Sequence, residues 1–280
     1  MNGHRDLRDG IARTEAAKDD FPLTVTAFSL ARRLRAGETV HSGWCGLSSA
    51  IVAELVGREG FPAVTLDGQH GLWDTASIVS AIAQVRQSGA AAIVRIPVGE
   101  FATASRALDF GAEGIIAPMI NTQADARAYV SFAKFPPIGE RSWGPHRATT
   151  LANIPDQKVY LREANDLTVT FAMIETRTAL DNVEAIAATP GIDALFLGPA
   201  DLSIALSKGA NVDPMSGEVD RELDRITAAA TKAGKVMGAY CHSAERAVAL
   251  AKRGVRFLAV SSDMGFLRAG AAAALKALKS

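Results

Sequence analysis

The sequence predicts an α/β protein built as a (β/α)8 TIM barrel. Eight short apolar segments, most of them rich in β-branched residues, alternate with Ala-rich stretches of helical periodicity. Apolar runs of this kind are typical of parallel strands that are buried on both faces. Eight such units in about 240 residues fit one barrel. A doubly wound sheet, the main alternative, usually carries a Gly-rich dinucleotide fingerprint after its first strand, and the sequence contains no GxGxxG.

The elements follow one another at regular intervals along the chain. The predicted strands are 40–44, 63–67, 91–96, 114–118, 168–174, 194–198, 235–240 and 256–260. Helical periodicity predicts helices at 75–87, 104–110, 219–233 and 244–253, the first with Asp74 as its N-cap. Glycines that suit a left-handed helix end precede several strands, namely Gly89, Gly111, Gly191, Gly234 and Gly254. The connection between 118 and 168, about fifty residues, is expected to be a long loop that serves as a lid or a subunit contact.

Composition limits the class of protein. Residues 25–280 are predicted to form a single barrel domain, preceded by a polar N-terminal extension, 1–24, that lacks the apolar stretch of a secretory signal. The formal net charge is zero, which disfavours nucleic acid or an anionic membrane as the main partner. Two cysteines give no disulfide framework, so a reducing cytoplasm is the expected location. Small molecules are therefore the expected partners.

Polar side chains gather at the predicted C-terminal ends of the strands, where barrels of this type build their active sites. Glu175 and Asp201 follow neighbouring strands, so their carboxylates predict a site for a hard divalent cation. For Asp201, a helix N-cap is the alternative interpretation. Arg95 lies within an apolar strand and needs an anion, either an ion-pair partner within the fold or a ligand. Asp67 and His70 follow the second strand, and Asp67 either caps the turn there or belongs to the site.

Seven segments carry a resemblance to a known family. They are GWCGLSS at 43–49, LDGQH at 66–70, VRIP at 94–97, APM at 117–119, PPIGER at 136–141, IETR at 174–177 and LGPADLS at 197–203. On these segments the chain resembles the class II, divalent-metal-dependent pyruvate aldolases of the 4-hydroxy-2-oxoheptanedioate, 2-dehydro-3-deoxyglucarate and 2-keto-3-deoxy-L-rhamnonate aldolase family. The segments run in order along most of the chain.

The resemblance implies a function and a set of roles. Its fold would be a barrel of the phosphoenolpyruvate/pyruvate type in a homo-oligomer, a hexamer arranged as a trimer of dimers that exchange their last helix. Glu175 and Asp201 would bind Mg²⁺, Mn²⁺ or Co²⁺. His70 and Arg95 would be catalytic, with Asp109 as the acidic partner of His70. The expected substrate contacts, from the motifs and strand ends together, are Trp44, Gln69, Pro199, Ala200, Ser203 and Tyr240.

Two positions depart from the family pattern. Gln69 stands where the family commonly has Glu, and Met173 stands where it commonly has a Gln that helps to hold the keto acid. We therefore expect altered binding of the 2-oxo acid.

The implied reaction is reversible cleavage of a 4-hydroxy-2-oxo acid to pyruvate, or a related 2-oxo acid, plus an aldehyde. A divalent cation would polarise the keto group and Arg95 would stabilise the enolate oxygen. Either His70 or a water held by the cation would be the base. Two alternatives stand beside this hypothesis, a CoA-thioester lyase of the citryl or malyl type and a metal-binding barrel without turnover.

Overall fold

The computed structural model describes residues 28–279, so the predicted extension 1–24 lies outside the described residues. The strands, numbered in chain order, are β1 Val40–Cys45, β2 Ala63–Asp67, β3 Ala91–Arg95, β4 Gly114–Ala117, β5 Val169–Ile174, β6 Ala194–Leu197, β7 Val236–Cys241 and β8 Phe257–Val260. They are parallel, each pairs with the next, and β1 pairs with β8, which closes the barrel. The predicted fold class is confirmed, and each predicted strand lies within one residue of its position in the structure at either end.

Helices connect the strands on the outside of the barrel. They are α1 Leu30–Arg35, α2 Ala50–Arg58, α3 Thr75–Gln87, α4 Phe101–Phe110, α5 Gln123–Ala133, α6 His146–Leu151, α7 Gln157–Leu167, α8 Arg177–Asp181, α9 Val183–Ala187, α10 Pro199–Leu206, α11 Gly217–Lys232, α12 Ala244–Lys252 and α13 Asp263–Ala277. The predicted cap of α3 is confirmed, because the Asp74 carboxylate accepts a hydrogen bond from the Ser77 N–H at 2.7 Å. The predicted glycine after α4 also fits, since Gly111 has φ +106°.

The connection between β4 and β5 is not the long loop that we expected, so this prediction is wrong. It contains α5, α6 and α7. The buried residues of α5 belong to the larger apolar cluster of the barrel, whereas α6 and α7 pack around a separate cluster built from Phe28, Phe135, Ala148, Ala152, Tyr160 and Ala164. Trp143, which lies in this connection, packs against Phe135 and Tyr160. Buried aromatic and alanine side chains stabilise the segment as ordered helical structure rather than as a free lid.

Side chains along each strand alternate between the inside and the outside of the barrel, so the core has two parts. Side chains such as Ile93, Phe171, Phe196 and Phe257 fill the inside of the barrel, where the rings of Phe171 and Phe257 lie 4.7 Å apart. The residues between them point outward to the helices and form the larger apolar cluster. Because the interior is filled by side chains, a ligand can enter only at the open ends, where the loops diverge.

The last helix, α13, is anchored to the barrel at its N-terminal end, where the Asp263 carboxylate accepts hydrogen bonds from the Gly46 and Leu47 N–H groups and Phe266 packs against Phe61. Of its residues only Asp263, the first, is buried, and Leu267 is 67% exposed. A helix that covers a barrel normally buries an apolar stripe, and this one leaves its leucines in solvent. No helix in residues 28–279 combines the length and the apolar character that a membrane span requires.

Candidate active site

A cavity of about 220 Å³ opens at the C-terminal ends of the strands. Parallel strands deliver their last residues to one end of the barrel, which brings together side chains far apart in sequence. The lining residues are Trp44, His70, Arg95, Met173, Phe196, Gly198, Pro199, Ala200, Asp201, Tyr240 and His242. Of the predicted site residues, Trp44, His70, Arg95, Asp201, Pro199, Ala200 and Tyr240 therefore meet here.

Arg95 and Asp67 form a buried ion pair across one wall of this cavity. The register of β2 and β3 places the two residues opposite each other. Nε of Arg95 donates to Oδ1 of Asp67 at 2.8 Å, and Nη2 donates to Oδ2 at 2.5 Å. The Arg95 guanidinium also lies over the Trp44 ring, 4.8 Å from its centroid. The ion-pair interpretation of Arg95 thus holds, and its remaining Nη1 group makes no hydrogen bond to residues 28–279.

Asp67 accepts more hydrogen bonds than the ion pair alone. The Trp44 indole N–H donates to its Oδ2 at 3.2 Å, and the backbone N–H groups of Gln69 and His70 donate to Oδ1. Burial raises the pKa of Asp67, but the hydrogen bonds and charge of Arg95 outweigh burial, so this pKa falls below its ordinary value. Asp67 therefore caps the turn after β2 and fixes Arg95 as a charged pair at neutral pH.

Glu175, at the end of β5, is a buried carboxylate with only 2% of its surface exposed. Its Oε1 accepts a hydrogen bond from the Met119 N–H at 2.8 Å. Met119, the residue that donates to this carboxylate, has a left-handed backbone conformation with φ +55°. The pKa of Glu175 is raised to about 7, mainly because the carboxyl group is buried. The hydrogen bond from Met119 lowers this pKa, and the negative charge of Asp201 raises it further.

Asp201 lies in the first turn of α10, three residues after the N-cap position, which Gly198 occupies. No side chain caps this helix, so the alternative interpretation of Asp201 as an N-cap is wrong. Its side chain is exposed toward the cavity. Gly198 allows Glu175 to come close, because a Cβ at this position would collide with the Glu175 carboxylate.

The two carboxylates fit a hard cation that keeps other ligands. Within residues 28–279 no group of three or more His, Cys, Asp or Glu side chains is placed to hold a metal. Mg²⁺ is often bound in this way, by one or two carboxylates, with water or substrate oxygens completing its shell. In residues 28–279, Glu175 Oε2 has no hydrogen-bond donor, and a cation would offset the burial of this carboxylate. The residues present therefore fit a divalent cation, although they do not enclose one.

Asp109 does not meet His70 within the chain, contrary to expectation. α4 starts just after β3, at the cavity end of the barrel, and runs back toward the start of β4. Its last turn, which contains Asp109, consequently lies at the opposite end. There the Asp109 carboxylate accepts a hydrogen bond from Nη2 of Arg141 at 2.6 Å. Asp109 is thus an ion-pair partner of Arg141 and cannot orient His70 in the same subunit.

Two other expected substrate contacts do not line the cavity. The Ser203 hydroxyl donates to the Ala200 carbonyl at 2.7 Å and accepts from the Asp213 N–H at 3.0 Å, so it stabilises its own helix and the following loop. Gln69 lies outside the lining, and its Oε1 is buried without a hydrogen-bond partner among the described residues. The expectation of substrate contacts by Ser203 and Gln69 is not supported by this geometry.

Sequence reasoning missed Phe196 as part of the cavity wall. Phe196 lies on β6, and its ring packs inside the barrel against Trp44 at 6.3 Å. The alternation along β6 could have revealed it, because Phe196 is two residues before Gly198 and therefore points to the same, inner face of the barrel. Met173, noted only as a departure from a family pattern, forms the neighbouring wall.

Comparison with known proteins identifies the family of this chain. Residues 42–269 match the family described as HpcH/HpaI aldolase/citrate lyase. The chain is 34% identical to the hydroxypyruvate/pyruvate aldolase of Rhizorhabdus wittichii, over 84% of this chain and 92% of that protein. It is also 34% identical to the 5-keto-4-deoxy-D-glucarate aldolase of Klebsiella pneumoniae, over 80% of this chain and 86% of that protein.

Solved structures give the same result. An HpcH/HpaI aldolase/citrate lyase family protein from Burkholderia cenocepacia superposes with a TM-score of 0.82 and 31% sequence identity, and the match covers 91% of this chain and all of that one. Fold, strand-end residues and sequence similarity lead to one assignment. The chain belongs to the HpcH/HpaI aldolase/citrate lyase family and is an enzyme, a carbon–carbon lyase of the aldolase type.

Proposed function

We propose that this aldolase reversibly cleaves 4-hydroxy-2-oxo acids to pyruvate, or a related 2-oxo acid, plus an aldehyde, and that the described cavity is its active site. The observation that carries the proposal is that an anchored Arg95 and Asp201 line one cavity, while the carboxylate of Glu175 is buried beside it and feels the charge of both. A cationic group and a carboxylate pair suit a substrate that bears a carboxylate and a keto oxygen. The relatives named above are aldolases whose names specify no CoA thioester, which supports a free 2-oxo acid as substrate over the CoA-thioester alternative.

Glu175 and Asp201 would hold the divalent cation, Mg²⁺, Mn²⁺ or Co²⁺. When bound, the cation supplies Lewis-acid polarisation of the keto group. Arg95, fixed by Asp67, directs its free Nη1 group toward the oxygen that becomes negative in the enolate. Because this donor is oriented before substrate arrives, little reorganisation is needed in the transition state.

The substrate carboxylate has a separate binding place at the start of α10. Pro199 and Ala200 line the cavity there, and the first N–H groups of a helix have no partner inside the helix. The N-terminal dipole of α10 adds a favourable interaction with an anion. We assign the backbone of Ala200 and Asp201 to this role.

His70 is the side chain placed to move the proton of the C4 hydroxyl, either directly or through a water. It lines the cavity, its side chain is exposed, and its backbone N–H bonds to Asp67 at 3.2 Å. Its imidazole has no hydrogen-bond partner within residues 28–279, so both ring nitrogens are available to a ligand. An acidic partner for this imidazole is not supplied by Asp109 of the same subunit.

The test is pyruvate release from a 4-hydroxy-2-oxo acid, measured with and without thorough metal removal. We expect activity to disappear with a chelator and to return on addition of Mg²⁺, Mn²⁺ or Co²⁺. Glu175→Ala should abolish metal binding, measured by calorimetry. Arg95→Ala also removes one partner of the buried pair with Asp67, so it should lower the melting temperature, and it should lower kcat well beyond the loss of folded protein. Activity that survives metal removal contradicts the proposal, and pyruvate binding without turnover would favour the non-catalytic barrel.

We further propose that the enzyme is a homo-oligomer, a hexamer built from dimers that exchange α13. The exposure of Leu267 and Leu275 on α13, and of Leu278 at its C-cap, supports this assembly, since this helix buries almost none of its residues in the described chain. Apolar side chains along one exposed helix are typical of a subunit contact.

A further inference from the structure

The wall of the cavity formed by β7 has no role in the proposed chemistry. Tyr240 and His242 are two residues apart on β7 and its end, so both side chains point to the cavity while Cys241 between them is buried among the outer helices. Their rings meet edge to face, with centroids 5.0 Å apart. The β7 wall is next to β6, which leads into the first turn of α10 with Asp201, and lies across the barrel from Arg95 on β3.

Tyr240 is a fixed part of this wall. Its hydroxyl donates to the Ser261 carbonyl at 3.1 Å, and its ring packs against the edge of Trp44 at 5.4 Å between centroids. The donor of Tyr240 is thereby used within the fold. The ring serves as a rigid support against which His242 packs.

His242 is the free polar group of the wall. Neither of its ring nitrogens has a hydrogen-bond partner within residues 28–279, and the side chain is exposed at the cavity rim. Burial of part of the ring lowers the pKa of His242 below its ordinary value, so the imidazole is neutral at neutral pH. A neutral imidazole offers one donor and one acceptor, the pair that a hydroxyl group uses.

The size of the cavity limits the ligand. Its volume of about 220 Å³ lies below the range of about 300–1,000 Å³ that is usual for pockets of drug-sized ligands. In the proposed function the 2-oxo acid takes the part between Arg95, Asp201 and the start of α10. The space beside β7 is then left for the aldehyde, which favours a short one.

We propose that His242 determines specificity for short 2-hydroxy-aldehydes by hydrogen bonding to the hydroxyl group next to the aldehyde carbon. The inference rests on the proposed function, since it assigns the aldehyde half of the same site. An aldehyde with a methyl group in place of this hydroxyl leaves the imidazole unpaired when bound. The site therefore discriminates through the cost of an unsatisfied polar group.

The test compares glycolaldehyde with propanal as acceptors for pyruvate in the aldol direction. The two aldehydes have the same number of heavy atoms and differ in a hydroxyl against a methyl group. We measure kcat/KM for both with the metal-loaded wild type, His242→Leu and His242→Gln. Each aldehyde is compared with itself across variants, so its hydration in water cancels.

We expect His242→Leu to lower the glycolaldehyde-to-propanal ratio of kcat/KM about tenfold, mainly through glycolaldehyde. His242→Gln, which keeps a donor and an acceptor, should keep the ratio within about threefold of wild type. His146→Leu, the same substitution at an exposed histidine on α6, is the matched control and should change nothing.

An unchanged ratio in His242→Leu overturns the assignment of His242 while leaving the aldolase intact. If the wild type forms no aldol product with either aldehyde but still releases pyruvate from a 4-hydroxy-2-oxo acid, the inference fails while the proposed function stands. If it shows neither activity, the proposed function fails, and the inference fails with it. The two failures are thus distinguishable by the wild-type measurements alone.

Discussion

The carboxylate of Asp67 binds the guanidinium of Arg95 in a bidentate ion pair at the ends of β2 and β3, and both side chains are nearly buried. Bidentate geometry fixes the plane of the guanidinium as well as its position. A single structural pair thereby prepares the cationic wall of the active site before substrate binds.

We expect Asp67→Asn to lower kcat by about 10²-fold or more, because an unanchored Arg95 no longer aims at the developing negative charge. Removing one partner of a buried pair also destabilises the fold, by about 3–5 kcal/mol. The measurements are steady-state kinetics and thermal unfolding. Asp74→Asn, the same charge change at the cap of α3, should leave kcat unchanged, since Asn also caps helices. Equal effects of the two substitutions contradict the role of Asp67.

The raised pKa of Glu175 predicts a pH dependence of stability in the metal-free protein. The folded-state pKa of about 7 lies above the ordinary 4.5, so the stabilising contribution is complete below pH 4.5 and is lost as pH rises through 7. At about 1.4 kcal/mol per pH unit, the ionised carboxylate costs the metal-free fold about 3 kcal/mol above pH 8.

Glu175→Gln should therefore raise the melting temperature of the chelator-treated protein at pH 8 by about 5 °C and give no gain at pH 4.5. The same variant should lose metal binding and activity. Glu184→Gln, at a carboxylate whose side chain is 71% exposed, is the control and should show no such difference. Parallel pH profiles of the two variants would show that burial of Glu175 carries no such cost.

Gly198→Ala tests the close approach between α10 and Glu175. The added methyl group meets the Glu175 carboxylate and lies 2.9 Å from Met173 Cε, so the carboxylate must move. We expect the dissociation constant for Mn²⁺ to rise about tenfold or more, measured by calorimetry, with a parallel loss of kcat/KM. Gly217→Ala, at the start of α11, where the added Cβ meets nothing closer than 3.8 Å, should bind metal normally. An unchanged dissociation constant for Mn²⁺ in Gly198→Ala would contradict the idea that only glycine leaves room for the Glu175 carboxylate.

The exposed leucines of α13 make the oligomer testable. The double variant Leu267→Glu, Leu275→Glu places charges in a surface that we propose to be covered by another subunit. Light scattering should give a mass above 29.4 kDa for the wild type and a lower mass for the variant, with the barrel intact by circular dichroism. Leu161→Glu, at an exposed leucine of α7, should leave the mass unchanged. A wild-type monomer contradicts the assembly.

Local pattern was sufficient to predict the barrel. Each strand is a short apolar run with a clear end, as in Ala194–Leu197 before Gly198, and the predicted helices α3, α4, α11 and α12 are marked by periodicity or by a cap such as Asp74. The carboxylates Glu175 and Asp201 were found because the end of a parallel strand can be read from the chain alone. The helices between β4 and β5 were not found. The cluster around which α6 and α7 pack also includes Phe28, which is more than a hundred residues away in sequence, so local pattern does not reveal it.

The sequence by itself determined the fold class, the family and which end of the barrel carries the chemistry. Only the tertiary structure decided which of the polar residues meet. Register between β2 and β3 pairs Arg95 with Asp67, and the antiparallel course of α4 carries Asp109 to the far end of the barrel, to Arg141. Strand ends are local properties of the chain, whereas register and helix direction depend on how all eight units close around one core.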